Sequence, residues 1–377
     1  MSNKNCTGCG LCAFLCPAKC IKMRENIEGF RYPIIDKNKC INCGLCKKKC
    51  PLKMQLFTNK NARTFVFQTK DKKELLNCAS GGVFYSIATS IINKGGSVVG
   101  VRTNKDLSID FSLISQKEGI HDLLNSKYFQ CELKDTLYLK IKEAIKKNVV
   151  LFSGTPCQVA AVVKYFEKDN NRSNLITLEI LCQGVPSYKA VKYFYDYYEK
   201  KEKSKLVEHK FRSKLKYVGR NYFSEYKFKN GTTKSFVGED DILTLSFQRN
   251  LFLRNSCYHC YFANSRRVAD FTCGDIWKIN KNTIIDIKKG ASVVRCNNDR
   301  AVSLLYELDN CCFYEIDEID ALKDNIPFNR SVKKPFFRYF SYKLLNTKIP
   351  IKIIVILGAW KYYLKKIVRG YKRWEKK

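Results

Sequence analysis

The sequence predicts an α/β protein, α+β overall, in which a small N-terminal domain built around cysteines precedes an α/β core with a partly parallel sheet. Three observations carry this. Residues 148–200 alternate strand, helix, strand and helix. Eight of the 19 cysteines fall in two N-terminal runs of one spacing. The chain of 377 residues, 45% hydrophobic and 13% aromatic, is long enough to bury the core of two or three domains.

The first run is CTGCGLCAFLCP, with Cys6, Cys9, Cys12 and Cys16 ahead of Pro17. The second is CINCGLCKKKCP, with Cys40, Cys43, Cys46 and Cys50 ahead of Pro51. Both read C-x2-C-x2-C-x3-C-P. In that pattern three close thiolates take three irons of a 4Fe-4S cube, and the fourth cysteine reaches across to the other cluster. One cluster then takes Cys6, Cys9, Cys12 and Cys50; the other takes Cys40, Cys43, Cys46 and Cys16. Zinc is the competing reading, but its cysteines come in pairs separated by a longer loop. Gly8, Gly10 and Gly44 let the backbone curl and aim amides at sulfur. Cys20 reads as a small buried thiol. Residues 1–56 resemble two-cluster ferredoxins. Such a module relays single electrons, so any substrate chemistry must come from the rest of the chain.

Polar and cysteine-bearing residues stand where a secretory leader would be apolar. In a reducing compartment, clustered cysteines favour metal over disulfides, and a cytoplasmic location is expected. The formal charge of +34, from 69 Lys and Arg against 35 Asp and Glu, would attract anions. It is spread along the chain and accompanied by no nucleic-acid-binding signature, so specific nucleic-acid binding is not expected.

In the core, TFVFQT (64–69) reads as a strand. Ser80-Gly81-Gly82 then opens an apolar helical pattern, and SVVGV (97–101) follows as a strand. A small-residue loop at a helix start is an anion site or a plain tight turn. VVLFSG (149–154) is an apolar strand. Thr155 follows at the N-cap and Pro156 at the first position of a helix. LITLEILC (175–182) is the next strand, and YKAVKYFYDYY the next helix, with its aromatics as a packing face. Two strands joined by a helix should be parallel neighbours. Cys157 and Cys182 then lie on the strands' C-terminal edge, where open α/β sheets bind ligands. CYHC adds Cys257 and Cys260, enough thiolates for another cubane, with Cys273 the rival fourth ligand. Cys78, Cys131, Cys296, Cys311 and Cys312 show no ligand spacing.

Residues 351–377 hold an apolar run of about ten, short of the roughly 20 a spanning helix needs. Basic residues then alternate with Trp360, Tyr362, Tyr363, Ile367 and Trp374. That is the composition of an interfacial helix on anionic lipid, or of an amphipathic helix docked on protein.

Six segments in order, ASGGVF (79–84), LFSGTPCQVAAV (151–162), LCQGVPS (181–187), LFLRNSCYHCYFA (251–263), RRVADFTCGDIW (266–277) and KGASVV (289–294), resemble the coenzyme F-420 hydrogenase/dehydrogenase beta subunit family. The resemblance covers about residues 1–320, here with the two-cluster module fused in front. It implies a redox enzyme with FAD and a 4Fe-4S cluster in the core. Ser80, Gly81, Gly82, Ser153, Gly154 and Thr155 would lie near the flavin; Cys157, Cys182, Cys257 and Cys260 would hold the third cluster. The family often has a histidine where this chain has Gln183, which puts a proton role there in doubt. Fused members are often found beside polysaccharide-synthesis enzymes, so a substrate other than F-420 is implied as well. The expected organisation is a 4Fe-4S module at 1–60, the two parts of the family region at 61–145 and 146–325, and a basic tail at 326–377. The expected partners are a redox protein or a hydride-donor cofactor, F-420 or NAD(P)H, with an anionic membrane surface for the tail. An electron-transfer adaptor without its own substrate site is the rival function.

Overall fold

The computed structural model describes residues 4–57, 59, 61–214, 223–276 and 285–364. In the N-terminal module, strands β1 (Ile21–Glu25) and β2 (Arg31–Ile35) form an antiparallel hairpin. Two one-turn helices flank it, Leu11–Phe14 and Leu45–Lys48. Each is entered through a glycine with positive φ, 74° at Gly10 and 70° at Gly44. The left-handed region suits glycine, so the two cysteine runs share one backbone solution as well as one spacing.

The core is built on strands β3 (Arg63–Thr69), β4 (Ser97–Thr103), β5 (Ile109–Ile114), β6 (Val150–Gly154) and β7 (Leu175–Ile180). Three more, β8 (Leu206–Ser213), β9 (Phe223–Phe228) and β10 (Thr233–Val237), form a separate antiparallel sheet. Strands β11 (Phe271–Asp275), β12 (Ser292–Cys296) and β13 (Cys311–Glu315) return to the main one. The main sheet has eight strands in the order β13-β3-β12-β11-β7-β6-β4-β5. Strands β4, β6, β7 and β11 run parallel, and the others pair antiparallel. The sheet is therefore mixed, with the expected parallel strands at its centre. Val150, Leu151 and Phe152 are fully buried, as befits a strand covered on both faces. The helix Pro156–Phe166 begins with a capping box between Thr155 and Gln158 and Pro156 in its first turn, which fixes Cys157 at the C-terminal edge of β6. Cys182 sits just beyond β7 on the same edge. Phe194, Tyr195 and Tyr198 are buried in the helix Tyr188–Glu202, so that aromatic run does pack.

The N-terminal module is docked on the core rather than tethered to it. Arg254 is 1% exposed. Its Nε donates to the Cys6 carbonyl at 2.9 Å, one Nη to Gln130 Oε1 at 2.9 Å and the other to the Arg31 carbonyl at 2.8 Å. Its guanidinium also lies 4.2 Å from the Tyr32 ring centroid. Gln130 Nε2 donates back to the Thr7 carbonyl at 3.0 Å. A second clamp is the Arg338–Glu28 ion pair, with an Nη2–Oε2 contact of 2.7 Å. Phe14 stacks on Tyr138 with ring centroids 5.0 Å apart.

Candidate iron–sulfur and flavin sites

The cysteines assemble in sets. Cys12 has Cys6, Cys50 and Cys46 as electrostatic neighbours, so the last cysteine of the second run reaches the first run. Cys16, Cys20 and Ile21 form a small buried cluster, with Cys12, Cys40 and Cys46 packed against it. The fourth cysteine of the first run therefore sits with the second. Cys20 is buried, as expected, with its Sγ 3.4 Å from that of Cys16. Cys43 is the exposed member of its run.

In the core, Cys182 has Cys257, Cys157 and Cys260 as electrostatic neighbours. Cys273, on β11, faces Asp275 and Glu179 instead and stands apart from this set. Cys9 has Cys157 among its neighbours, beside Cys12 and Cys6. A small cavity between them is bounded by Cys9, Cys157, Cys257, Cys260 and Arg254. Among the described residues no three His, Cys, Asp or Glu side chains converge as they would on a single ion. Ligands of a cubane sit on separate irons and need no common point. Burial pushes the thiols of Cys9, Cys12 and Cys257 up to about 12 and that of Cys260 up to about 11. Such thiols keep their protons until a cation takes their place, so metal loading here releases protons. Arg254 opposes the upward shift at Cys157 and Cys257.

The six residues expected near flavin fall in two places. Ser80, Gly81 and Gly82 lie beyond the end of β3, and Ser153, Gly154 and Thr155 at the end of β6. Four strand spacings separate β3 from β6, roughly 19 Å. Ser80 Oγ donates to the Ala291 carbonyl and Gly81 N to Ser292 Oγ, both at 2.8 Å. A Cβ on Gly81 would collide with the Phe67 carbonyl oxygen and the Ser292 nitrogen, so close backbone packing accounts for this glycine. Gly81→Ala should cost about 2 kcal/mol by overpacking, read as a lowered thermal midpoint with or without added flavin. Thr155 Oγ1 lies 3.3 Å from Cys157 Sγ and 2.9 Å from Gln158 Oε1.

Beside the first place, a cleft of about 410 Å³ opens past the end of β4, lined among others by Asn77, Lys105, His121, Lys127 and Lys210. Burial pushes the Lys127 amine down to about 8, and its Nζ donates to the Leu124 carbonyl at 2.5 Å. Lys214, likewise pushed down to about 8 by burial, donates to the Ser80 carbonyl at 2.5 Å and ties the glycine loop to the cleft wall. No signal in the sequence marked these lysines, among so many others. His209 is half-buried and bonded to Tyr195 and Ser224; His259 is exposed. Gln183 Nε2 donates to Asn250 Oδ1 at 2.7 Å.

Two family models match this chain. Residues 5–54 match a 4Fe-4S dicluster domain, and residues 147–321 match the C terminus of the coenzyme F-420 hydrogenase/dehydrogenase beta subunit. Through residues 147–321 the chain is related to the F-420 hydrogenase/dehydrogenase beta subunits. It carries a fused dicluster module and is an iron–sulfur electron-transfer protein with a redox role. No curated protein matches this chain in sequence. Among solved structures it is similar to a chain of the F-420-reducing [NiFe] hydrogenase complex from Methanosarcina barkeri, determined with xenon derivatization. That likeness has a TM-score of 0.48 at 14% identity and covers 84% of this chain and 95% of that one.

Proposed function

We propose that this beta-subunit relative is an iron–sulfur flavoprotein oxidoreductase. It exchanges a hydride with F-420, NAD(P)H or an organic substrate, the last in a polysaccharide-synthesis setting, and exchanges single electrons with a redox protein. FAD, when bound, supplies the conversion between two-electron and one-electron chemistry. In this reading residues 1–60 are the relay, 61–145 and 146–325 the two parts of the catalytic region, and 326–377 the tail.

The observation that carries the reading is the adjacency of Cys9 to Cys157. It supports reading the cysteine sets in series: Cys157, Cys182, Cys257 and Cys260 as ligands of a third 4Fe-4S cluster, then the set of Cys9, then the set of Cys43. Arg254 holds the first two together. The cleft supports a flavin site. Its volume suits a small-molecule ligand, and Lys105, Lys127 and Lys210 suit a diphosphate. Ser80, Gly81 and Gly82 would border the flavin from the β3 end, and Ser153, Gly154 and Thr155 from the cluster end.

The adaptor reading has its own support, since the Ser80 hydroxyl and Gly81 amide are already bonded within the protein. Full-length protein purified without oxygen decides between the two. About one FAD and roughly twelve irons per chain, three cubanes of four, are expected. Iron without flavin, even after FAD is supplied, would overturn the flavoprotein in favour of the adaptor.

A further inference from the structure

The helix Ile351–Gly358 is apolar on two faces. Ile351, Ile354, Val355 and Ala359 are 0–5% exposed and pack against the helices Ile242–Gln248 and Tyr188–Glu202. A Cβ on Gly358 would strike the Leu251 side chain, so the contact is close. This accounts for one stripe. A second stripe, at the same helical spacing, is Ile353, Ile356, Leu357, Trp360 and Leu364. It continues through the helical residues 360–364 and is 36–51% exposed. The preceding helix Arg338–Leu345 packs against this one and exposes Tyr339 and Phe340, with Phe336 just before it 87% exposed. A helix apolar all round is ordinarily buried all round, so the second stripe needs an occupant.

Charge identifies it. Between Asp324 and Glu375 the sequence holds thirteen Lys and Arg and no Asp or Glu. Exposed Lys352 and Lys361 rim the stripe, with Lys361 Nζ 5.4 Å from the Trp360 ring centroid. Protein interfaces deplete Lys. An apolar face carrying Trp and rimmed by Lys matches a helix lying in the headgroup region of an anionic bilayer, where lysine stems lie along the acyl boundary and their amines reach phosphate. Among the described residues no helix is long and apolar enough to cross a membrane. We propose that the face formed by Ile353, Ile356, Leu357, Trp360 and Leu364 seats this protein on an anionic lipid surface. The inference gives the expected tail contact a specific face and stands apart from the flavin question. Residues 365–377, the rest of that tail, lie outside the described residues.

The test is co-sedimentation of full-length, cluster-loaded protein with vesicles of phosphatidylcholine alone or mixed with phosphatidylglycerol. Binding should need the anionic lipid and weaken as salt rises. The triple variant I353S/L357S/W360S should bind about tenfold or more weakly, with iron content and visible absorbance unchanged. Lys352→Gln with Lys361→Gln, which leaves the apolar stripe intact, should also weaken binding. Equal binding to both vesicles, or to neither, overturns the proposal. So does a dimer in solution that the triple variant abolishes, since the stripe would then be covered by a second copy.

Discussion

Arg254→Met should separate the electron relay from the core while leaving the cysteines in place. The guanidinium serves three partly buried acceptors, the Cys6 and Arg31 carbonyls and Gln130 Oε1. Methionine fills much of the volume but leaves all three unpaired. At 1–3 kcal/mol for each buried group left without a partner, the loss is about 3 kcal/mol or more, concentrated at one interface. The linker around residues 57–61 should become sensitive to protease. In electron paramagnetic resonance, the coupling between the core cluster and its neighbour should weaken. Arg254→Lys keeps the charge but not the three-way fork and should fall between. If Arg254→Met leaves both protection and coupling unchanged, the arginine is only a packed side chain and the Arg338–Glu28 clamp is sufficient.

On the proposed assignment, Cys157→Ala should remove about four of roughly twelve irons and leave the N-terminal signals intact, since the Cys6 and Cys40 runs would ligate without it. Cys273→Ala is the matched control. Cys273 is as buried as a ligand but faces Asp275 and Glu179, so iron content should not change. Iron counting with resonance Raman of the Fe–S modes checks both. Full iron in Cys157→Ala, or a loss in Cys273→Ala, would sink the assignment of the core set.

These two residues also mark how much was legible in the sequence. The N-terminal dicluster module was readable because its cysteine spacing is a local signal, confined to a dozen residues in each run. The unit from β6 to the helix Tyr188–Glu202 was readable because apolar runs, a cap and a proline are local signals. The flanks of the sheet were not. Strands β3, β12 and β13 pair across more than 200 residues, and no local pattern announces that β3 belongs beside β12. Arg254 was invisible for the same reason: its partners lie 124 to 248 positions away, and an arginine before CYHC looks like any other cation. Cys273 and Cys260 could not be ranked by spacing, since what separates them is the strand that carries one and the loop that carries the other. In the tail, composition suggested a single amphipathic face. It could not show that the helix already spends one apolar stripe on its own protein and has another left over.

The docking of the N-terminal module has a kinetic consequence. Because Arg254, Gln130 and the Arg338–Glu28 pair seat the relay on the core, exchange between the proposed cluster of the Cys157 set and that of the Cys9 set should be a first-order event, unaffected by dilution and without an encounter step. A freely tethered relay would sample its effective concentration instead. Electron exchange with a redox protein is then expected to be collisional at the far end, where Cys43 is exposed beside exposed Lys47 and Lys48. There the rate should scale with the concentration of an acidic redox protein and fall as salt screens it.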